Sequence, residues 1–421
     1  MNGDNSIRRR DKINKIGQRA ENLLFTFITL FIVSLLLAYP QKSFKAALHG
    51  IDTWLKIVFP SLLPFLIGAE VMMGMGLLDF FSVLLSPIMG PLFGCPGSSS
   101  FIWTMSAVSG YPMGAKLVSG LINNKKIDKI QGQRILSFCS TSGPLFMVGA
   151  VGVGMLGSMQ AGKIILMSHY ISAIILGISY KFYRSKDIKN ADRPSIKSSN
   201  IFSEAINRLD KARKHDGRSI GLLLGDSVRN SVNTLLVIGG FIILYSVIIS
   251  LLTETGIIQG LSFIFQPLVK NIGIDEDLVL GLTSGIFEMT VGCKLVSQSV
   301  AHIYQKIIVI SFLIGWSGFS IHSQVASFIS NTDISIGLYI FTKLIHGILS
   351  CILSWIMIKI TYGTDIAAFS TDNTLRFSND WRDILGGSCK MLIFTILGMI
   401  IFIIAFNIIY KSYKTIKDKK M

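Results

Sequence analysis

The chain has 421 residues, of which 50% are hydrophobic and 15% are charged, and its mean hydropathy is +0.57. This composition excludes an ordinary soluble domain, and several apolar runs approach the roughly 20 residues that cross a bilayer. The sequence therefore predicts an all-α polytopic membrane protein embedded in a lipid bilayer. The net charge of +16 lies in the tails and a few loops. Because no basic stripe with interleaved aromatic residues accompanies it, we expect no nucleic-acid partner.

Cysteine and histidine spacing predicts neither a metal site nor a cofactor. The five cysteines are scattered without a CxxC pair, and the six histidines show no metal-ligand spacing. A Walker A loop and an HExxH pair are missing from the sequence. ATP-driven pumping and common metalloprotease chemistry therefore lack support.

Two apolar runs follow a basic tail at residues 1–22. We interpret Leu23–Ala38 as an uncleaved signal anchor with a cytoplasmic N-terminus, and Leu55–Gly76 as the second crossing. Lys42 and Lys45 then fall in an extracytoplasmic loop, against the charge rule. Residues 77–94 mix apolar residues with an acid and prolines, which favours a helix that lies at the interface or dips into the membrane.

The next two apolar segments are interrupted in their middle. Ser98–Ile122 is broken at residues 109–112, where a Gly-x-Pro sequence frees backbone groups, and this predicts a re-entrant helical hairpin. Ile135–Leu156 is broken at residues 140–144, and Lys163–Tyr183 completes the first half. A basic hydrophilic connector follows.

The second half of the chain repeats the first. Three matched pairs, at offsets of 180, 178 and about 175 residues, predict an internal repeat: Gly76…Pro87 with Gly256…Pro267, Gly114-Ala-Lys116 with Gly292-Cys-Lys294, and Ser137-Phe138…Ser142-Gly143 with Ser311-Phe312…Ser317-Gly318. Each Gly-x-Lys copy also follows a Ser-Gly pair, Ser109-Gly110 or Ser284-Gly285. With the basic segments inside, Leu55–Gly76 and its counterpart Val232–Thr253 run in opposite directions, which predicts an inverted repeat.

These features predict about eight transmembrane helices plus two re-entrant hairpins, with both termini cytoplasmic. The predicted domains are a basic cytoplasmic tail (1–22), a first membrane repeat with the signal anchor (23–183), a basic cytoplasmic connector (184–230), a second membrane repeat (231–360), and an extracytoplasmic loop with the last helix and a basic tail (361–421). Oligomeric state is left open, and a homo-oligomer fits the sequence as well as a monomer does.

A binding site is predicted where the breaks meet. Lysine within an apolar hairpin normally faces protein, a cavity or an acid, so Lys116 and Lys294 are the leading candidates, although each could also snorkel to an interface. Glu288 could pair with Lys294 or titrate in proton coupling. Half-helix N-termini after Pro112 and Pro144 add partial positive charge, so the site favours a small anionic substrate. The candidate substrate-binding residues are Ser109, Gly110, Tyr111, Pro112, Gly114, Lys116, Ser140, Thr141, Ser142, Gly143, Pro144, Ser284, Gly285, Glu288, Lys294, Ser317 and Gly318.

The stretches SGYPMGAKLVSGL and SFCSTSGPLFMVGAVGVGML resemble the YlbJ/SpoVV family of sporulation integral membrane proteins from spore-forming Firmicutes, which carry the nucleoside-recognition Gate domain. The resemblance covers roughly residues 50–350. It implies a core similar to that of concentrative nucleoside transporters. It also implies transport of dipicolinic acid, a planar dianion, from the mother cell across the outer forespore membrane. The second hairpin departs from the motif, with Phe287-Glu288 where the first has Tyr111-Pro112.

Three alternatives stay open at this point. A nucleoside or nucleobase carrier would need the hydroxyl groups more than the lysines. A sporulation membrane scaffold that transports nothing would tolerate point changes in the hairpins. An intramembrane hydrolase would use Ser317, in Gly315-Trp316-Ser317-Gly318, as nucleophile and His346 as base. We expect a transporter without catalytic residues.

Overall fold

The computed structural model describes residue 23 and residues 26–184 and 201–362. Every regular element in these ranges is a helix, as the composition predicts, and as far as Thr361 they belong to one compact unit. The helices of the first half are α1 (Thr26–Ala38), α2 (Pro40–Thr53), a π-helical turn (Trp54–Val58), α3 (Phe59–Gly74), α4 (Leu77–Leu84), α5 (Ser86–Phe93), α6 (Ser98–Ser109), α7 (Tyr111–Asn123), α8 (Lys129–Cys139), a π-helix (Leu145–Met155) and α9 (Met159–Tyr180).

The remaining helices begin in the connector and continue through the second half. They are α10 (Ile201–Asp216), α11 (Ile220–Glu254), α12 (Ile257–Asn271), a 3-10 turn (Glu276–Leu278), α13 (Val279–Phe287), α14 (Met289–Gln298), α15 (Ile303–Trp316), α16 (Gly318–Ile329) and α17 (Ile336–Tyr362). The predicted loop, last helix and tail beyond Tyr362, like the tail at 1–22, lie outside the described residues.

Four helical segments of the described ranges are long and apolar enough to cross a membrane. They are Met159–Tyr180, Ile220–Glu254, Ile303–Ile329 and Ile336–Thr361, and counting each of two bent helix pairs as one span raises the number to six. The chain is therefore a polytopic helical membrane protein. The expected total of eight spans, and the orientation of each span, stay predictions.

Two segments that the sequence placed outside the membrane helices are helical. Pro40–Thr53 forms α2 rather than a loop, because proline suits a first helical turn and Lys42 Nζ lies 3.0 Å from Glu254 Oε2. Within the predicted connector, α11 already begins at Ile220, where the Ser219 hydroxyl accepts a hydrogen bond from Leu222 N–H. The helix that contains Val232–Thr253 is thus 35 residues long.

The internal repeat is visible in the backbone. Gly76 and Gly256 are both left-handed residues, with φ of +84° and +75°, immediately before α4 and α12. Gly110 and Glu288 both precede the second helix of a hairpin, and they are separated by the same 178-residue offset as Gly114 and Gly292. Equivalent turns at equivalent offsets confirm that the two halves share one order of elements.

Candidate functional site

The first break lies between α6 and α7, as predicted. Gly110 has φ +90° and ψ −173°, a conformation that is open essentially to glycine alone. Tyr111 and Pro112 then begin α7, where the missing N–H of proline removes no helical hydrogen bond. The hairpin therefore presents the N-terminus of α7, with its partial positive charge, inside the protein.

The second break also lies where the sequence placed it. Ser140, Thr141, Ser142 and Gly143 are buried and non-helical, between the end of α8 and the π-helix that follows Pro144. The first break packs against this segment, because a Cβ added to Gly114 would lie 2.7 Å from the carbonyl oxygen of Cys139. Only glycine allows α7 to approach α8 so closely.

The breaks of the second half are at Glu288 and Ser317. Ser317 and Gly318 are both left-handed, with φ of +75° and +78°. A Cβ on Gly318 would lie 3.0 Å from the backbone nitrogen of Met289, so these two breaks also touch. Each half thus brings a hairpin break against a break between two consecutive helices.

The Ser284-Gly285 pair, which precedes the second Gly-x-Lys copy in the sequence, is not itself the third break. Both residues lie inside α13, and the chain becomes extended only at Glu288, with φ −140° and ψ 116°. The Glu288 side chain caps α14 by accepting a hydrogen bond from Val291 N–H at 2.7 Å, which fixes the break at that residue. Gly285 instead allows α13 and α14 to pack closely, because a Cβ added to Gly292 would lie 2.2 Å from the Gly285 Cα.

Neither predicted lysine is an unpaired buried cation. Lys116 Nζ lies 2.5 Å from Glu70 Oε1 and 3.0 Å from the Thr234 hydroxyl, so it has an acid partner on α3 that the sequence did not single out. Lys294 is exposed, because the buried face of α14 consists of Met289, Gly292, Cys293 and Val296. Glu288 and Lys294, both described, form no ion pair. A role for either lysine in binding substrate stays untested.

The buried cation at the breaks is Lys343, in the middle of α17. Its side chain is fully buried, and Nζ donates to the Ser140 carbonyl oxygen at 2.8 Å and lies 3.0 Å from His346 Nδ1. Nζ also lies 5.0 Å from the centre of the Tyr111 ring, a cation–π distance. Among the described residues, no carboxylate lies within 4 Å of this ammonium group.

Two buried histidines extend from Lys343 to the second break. His346 Nε2 lies 3.0 Å from the carbonyl oxygen of His169, and the two rings stack with centroids 4.4 Å apart. The His169 Nε2 atom accepts a hydrogen bond from Ser142 N–H at 3.1 Å. Lys343, His346 and His169, here called the Lys–His–His cluster, therefore lie between the Ser140 carbonyl and the Ser142 amide. Hydrogen bonds link Ser140 to Lys343, His346 and the His169 backbone carbonyl, and a separate bond links the His169 ring to Ser142.

The bonded partners determine where the protons lie on these rings. His169 Nε2 accepts from an amide, so a neutral His169 ring carries its proton on Nδ1. His346 Nε2 faces a carbonyl, so that nitrogen carries the proton and Nδ1 accepts from Lys343. The network is complete with two neutral imidazoles and one ammonium group.

Three buried side-chain groups near the first two breaks have no hydrogen-bond partner among the described residues. The hydroxyls of Ser109 and Thr141 and the Nδ1 of His169 are buried without a partner in the described part of the chain. Buried polar groups in proteins are normally satisfied, so several unsatisfied groups at one place favour a site for a ligand. Ser109 and Thr141 were among the predicted residues, whereas His169 on α9, like Lys343 and His346, was not.

Tyrosines connect the two halves at this site. The Tyr111 hydroxyl, at the first break, donates to the carbonyl oxygen of Ile314 near the fourth break. The Tyr339 hydroxyl lies 2.9 Å from the Ser140 hydroxyl, and its ring contacts that of His322. The site is therefore built from both repeats together with α9 and α17.

Sequence reasoning missed Lys343, although the signal was present. A lysine in the apolar run of α17 has the same pattern that singled out Lys116, and His346, three residues later, lies on the same helix face. His346 was considered only as the base of a hydrolase. Both of its ring nitrogens are engaged by Lys343 and His169, so no nitrogen is left for Ser317.

Comparison with known proteins agrees with this architecture. The family model Gate, described as "Nucleoside recognition", matches residues 55–159 and 235–335, which contain all four breaks. The sporulation integral membrane protein YlbJ of Bacillus subtilis (strain 168) is 36% identical over 372 residues, covering 86% of this chain and 91% of that protein. The chain belongs to the YlbJ family. As a YlbJ-family protein it is an integral membrane protein with a Gate core.

Two solved structures of CNTnw are also similar to this YlbJ-family chain. An outward-facing double variant has a TM-score of 0.38 at 11% identity, covering 78% of this chain and 86% of CNTnw. An inward-facing, substrate-bound state has a TM-score of 0.36 at 13% identity, covering 80% and 87% of the two chains.

Proposed function

We propose that the protein is a secondary transporter, rather than an enzyme, that carries a small aromatic dicarboxylate, dipicolinic acid, across the outer forespore membrane during sporulation. One observation carries the proposal: the broken helices enclose a fully buried lysine, Lys343, that has no neighbouring carboxylate among the described residues. Broken helices at a membrane protein's centre are the usual construction of a transporter's binding site. An unpaired buried cation among them needs an anion to balance its charge.

The chemistry of the surrounding groups supports an anion. The Ser109 and Thr141 hydroxyls and the His169 Nδ1–H are donors without partners in the described ranges, and the N-terminus of α7 adds partial positive charge. A carboxylate only accepts hydrogen bonds, so it complements such a donor-rich site. The aromatic faces of Tyr111 and the two histidines suit a planar ring between carboxylates.

The cellular setting follows from the family and the charge distribution. The YlbJ relative is a sporulation protein, and the basic tails favour cytoplasmic termini under the positive-inside rule. A mother-cell protein with this orientation would move dipicolinate out of the mother-cell cytoplasm toward the forespore. Spores of a deletion strain should then contain little dipicolinate although its synthesis in the mother cell is intact.

The direct test is uptake of labelled dipicolinate into proteoliposomes. Lys343→Gln removes the cation and should lower uptake by about 10- to 100-fold, the effect of losing one buried charge-assisted hydrogen bond. Lys359→Gln is the matched control, because Lys359 lies on the same helix but is exposed beside Trp355. Both variants must elute as the wild type does in size-exclusion chromatography. Equal uptake by wild type and Lys343→Gln would contradict the anion site.

A nucleoside carrier is the second candidate, because the family model that matches the chain is described as "Nucleoside recognition". Lys343, His346 and His169 all lie outside the two matched ranges, which favours a substrate with a charge that a nucleoside lacks. Uptake of labelled uridine, insensitive to Lys343→Gln, would support the nucleoside candidate. Failure to take up either compound would instead support a scaffold that transports nothing.

A further inference from the structure

We infer that the Lys–His–His cluster is a proton-binding site, and that the protein moves its anionic substrate together with a proton. This inference rests on the proposed transport function and adds the coupling ion to it. The geometry behind it is the row of bonds from Ser140 O through Lys343 and His346 to the His169 carbonyl, with the His169 ring stacked on His346 and bonded to Ser142 N–H. Its two ends are the carbonyl and the amide of the second helix break, where the substrate is proposed to bind.

Without substrate, the cluster is suited to a single positive charge. The two imidazole rings stack 4.4 Å apart at an angle of 22°, and Lys343 Nζ lies 3.0 Å from one of them. A second positive charge at this distance is strongly unfavourable in a buried site, because little solvent screens it. The observed hydrogen bonds, which need both rings neutral, agree with one charge on Lys343.

Within the described residues, the elements around the cluster bring tyrosines and one further histidine rather than carboxylates. Tyr111 on α7 lies beside Lys343 and His169, and Tyr170 on α9 lies beside His169. Tyr339 on α17 contacts His322 on α16. Tyrosine is ordinarily neutral at pH 7. A substrate dianion would therefore bring the negative charge that favours protonation of an imidazole.

The acceptor of that proton is the His346 Nδ1 lone pair. In the structure this lone pair accepts a hydrogen bond from Lys343 Nζ. When it takes a proton from water instead, Lys343 loses that acceptor and its N–H bond becomes available to a carboxylate. His346 keeps its Nε2–H bond to the His169 carbonyl. Ammonium, imidazolium and dianion then sum to zero net charge, so proton and anion enter together as symport.

Wild-type proteoliposomes test the coupling without any substitution. Labelled dipicolinate uptake and the lumenal pH, reported by entrapped pyranine, are measured with the membrane potential clamped at zero by potassium and valinomycin. With the outside one pH unit more acidic, one coupled proton should raise accumulation by about tenfold. An inward dipicolinate gradient alone should acidify the lumen, and protein-free liposomes should show neither effect.

The outcomes separate the two proposals. Uptake that is independent of the pH gradient and leaves the lumenal pH unchanged would overturn proton coupling but leave transport standing. No dipicolinate uptake above protein-free liposomes would overturn both. Accumulation that follows the pH gradient, together with lumenal acidification, supports both.

Variants then locate the proton. His346→Asn should abolish the tenfold pH effect on whatever downhill uptake remains, because an amide cannot take up a proton. Glu288→Gln tests the rival carboxylate, the buried acid that caps α14. We expect Glu288→Gln to retain the pH dependence, whatever its rate. Loss of the pH dependence in Glu288→Gln, with retention in His346→Asn, would overturn the assignment of the proton to the Lys–His–His cluster.

Discussion

Replacing Lys116 by methionine should destabilise the protein, and replacing Glu70 as well should recover most of the loss. The two side chains are 23% and 14% exposed, and their charged atoms lie 2.5 Å apart between α7 and α3. In Lys116→Met, the Glu70 carboxylate stays largely buried and retains only the Asn230 amide, at 3.4 Å. The expected loss therefore comes from the carboxylate left behind rather than from the bond itself.

The magnitude follows from this partial burial. Removing one partner of a fully buried ion pair costs about 3–5 kcal/mol, and the residual exposure lowers the expected value to about 2–3 kcal/mol. With an unfolding entropy of about 2 cal/mol/K per residue over 421 residues, this corresponds to a melting temperature lower by about 2–4 °C. The Lys116→Met/Glu70→Met double variant leaves no unpaired charge, and the Thr234 hydroxyl keeps its bond to the Asn230 carbonyl.

The assay is thermal unfolding in detergent, followed by intrinsic fluorescence, for the wild type, both single variants and the double variant. A double-mutant cycle with a coupling of about 2 kcal/mol would agree with the structure. Unchanged melting of Lys116→Met would refute the reasoning. Dipicolinate uptake by the double variant should lie close to the wild-type value, and its loss in a stable double variant would return Lys116 to the binding site.

Three further predictions concern the breaks and the connector. Gly110→Ala should lower stability by about 1–3 kcal/mol because its backbone conformation disfavours any Cβ, and an unchanged melting temperature would contradict this. Ser317→Gly should raise stability by about 1 kcal/mol by relieving a left-handed non-glycine residue, as the same melting assay would show. Arg218 lowers the pKa of Asp216 through hydrogen bonds, so ionised Asp216 stabilises the folded state. This stabilisation is present above the ordinary pKa of aspartate and is lost as pH falls through the lowered value. Asp216→Asn should therefore increase tryptic cleavage at Arg218 at pH 7.

The positions of the breaks could be predicted because they depend on local chemistry. Glycine and proline interrupt a helix through their own backbone, without help from distant residues, so the Gly-x-Pro at 110–112 and the run at 140–144 were readable. The exact residue of the third break was not readable in this way, because a side-chain cap at Glu288 fixes it. Gly285 serves a close contact between α13 and α14.

The partners of the lysines could not be predicted in the same way. Glu70 precedes Lys116 by 46 residues, and its helix reaches α7 only in the folded chain. Lys294 lies off the buried face of α14, which the spacing of Met289, Gly292, Cys293 and Val296 defines. The rule that a lysine in an apolar segment faces something polar holds for Lys116, but it does not say whether the partner is the substrate or the protein.

The contrast between Lys116 and Lys343 favours Lys343 as the lysine that would bind the proposed anionic substrate. A cation that already has a carboxylate at 2.5 Å gains little from a second anion, whereas a fully buried ammonium group bonded to a carbonyl and an imidazole gains a full charge partner. Lys343 also lies outside the ranges matched by the nucleoside-recognition model. One broken-helix core would thus serve neutral substrates, and the addition of a lysine from a later helix, here α17, would let the same core bind anionic substrates.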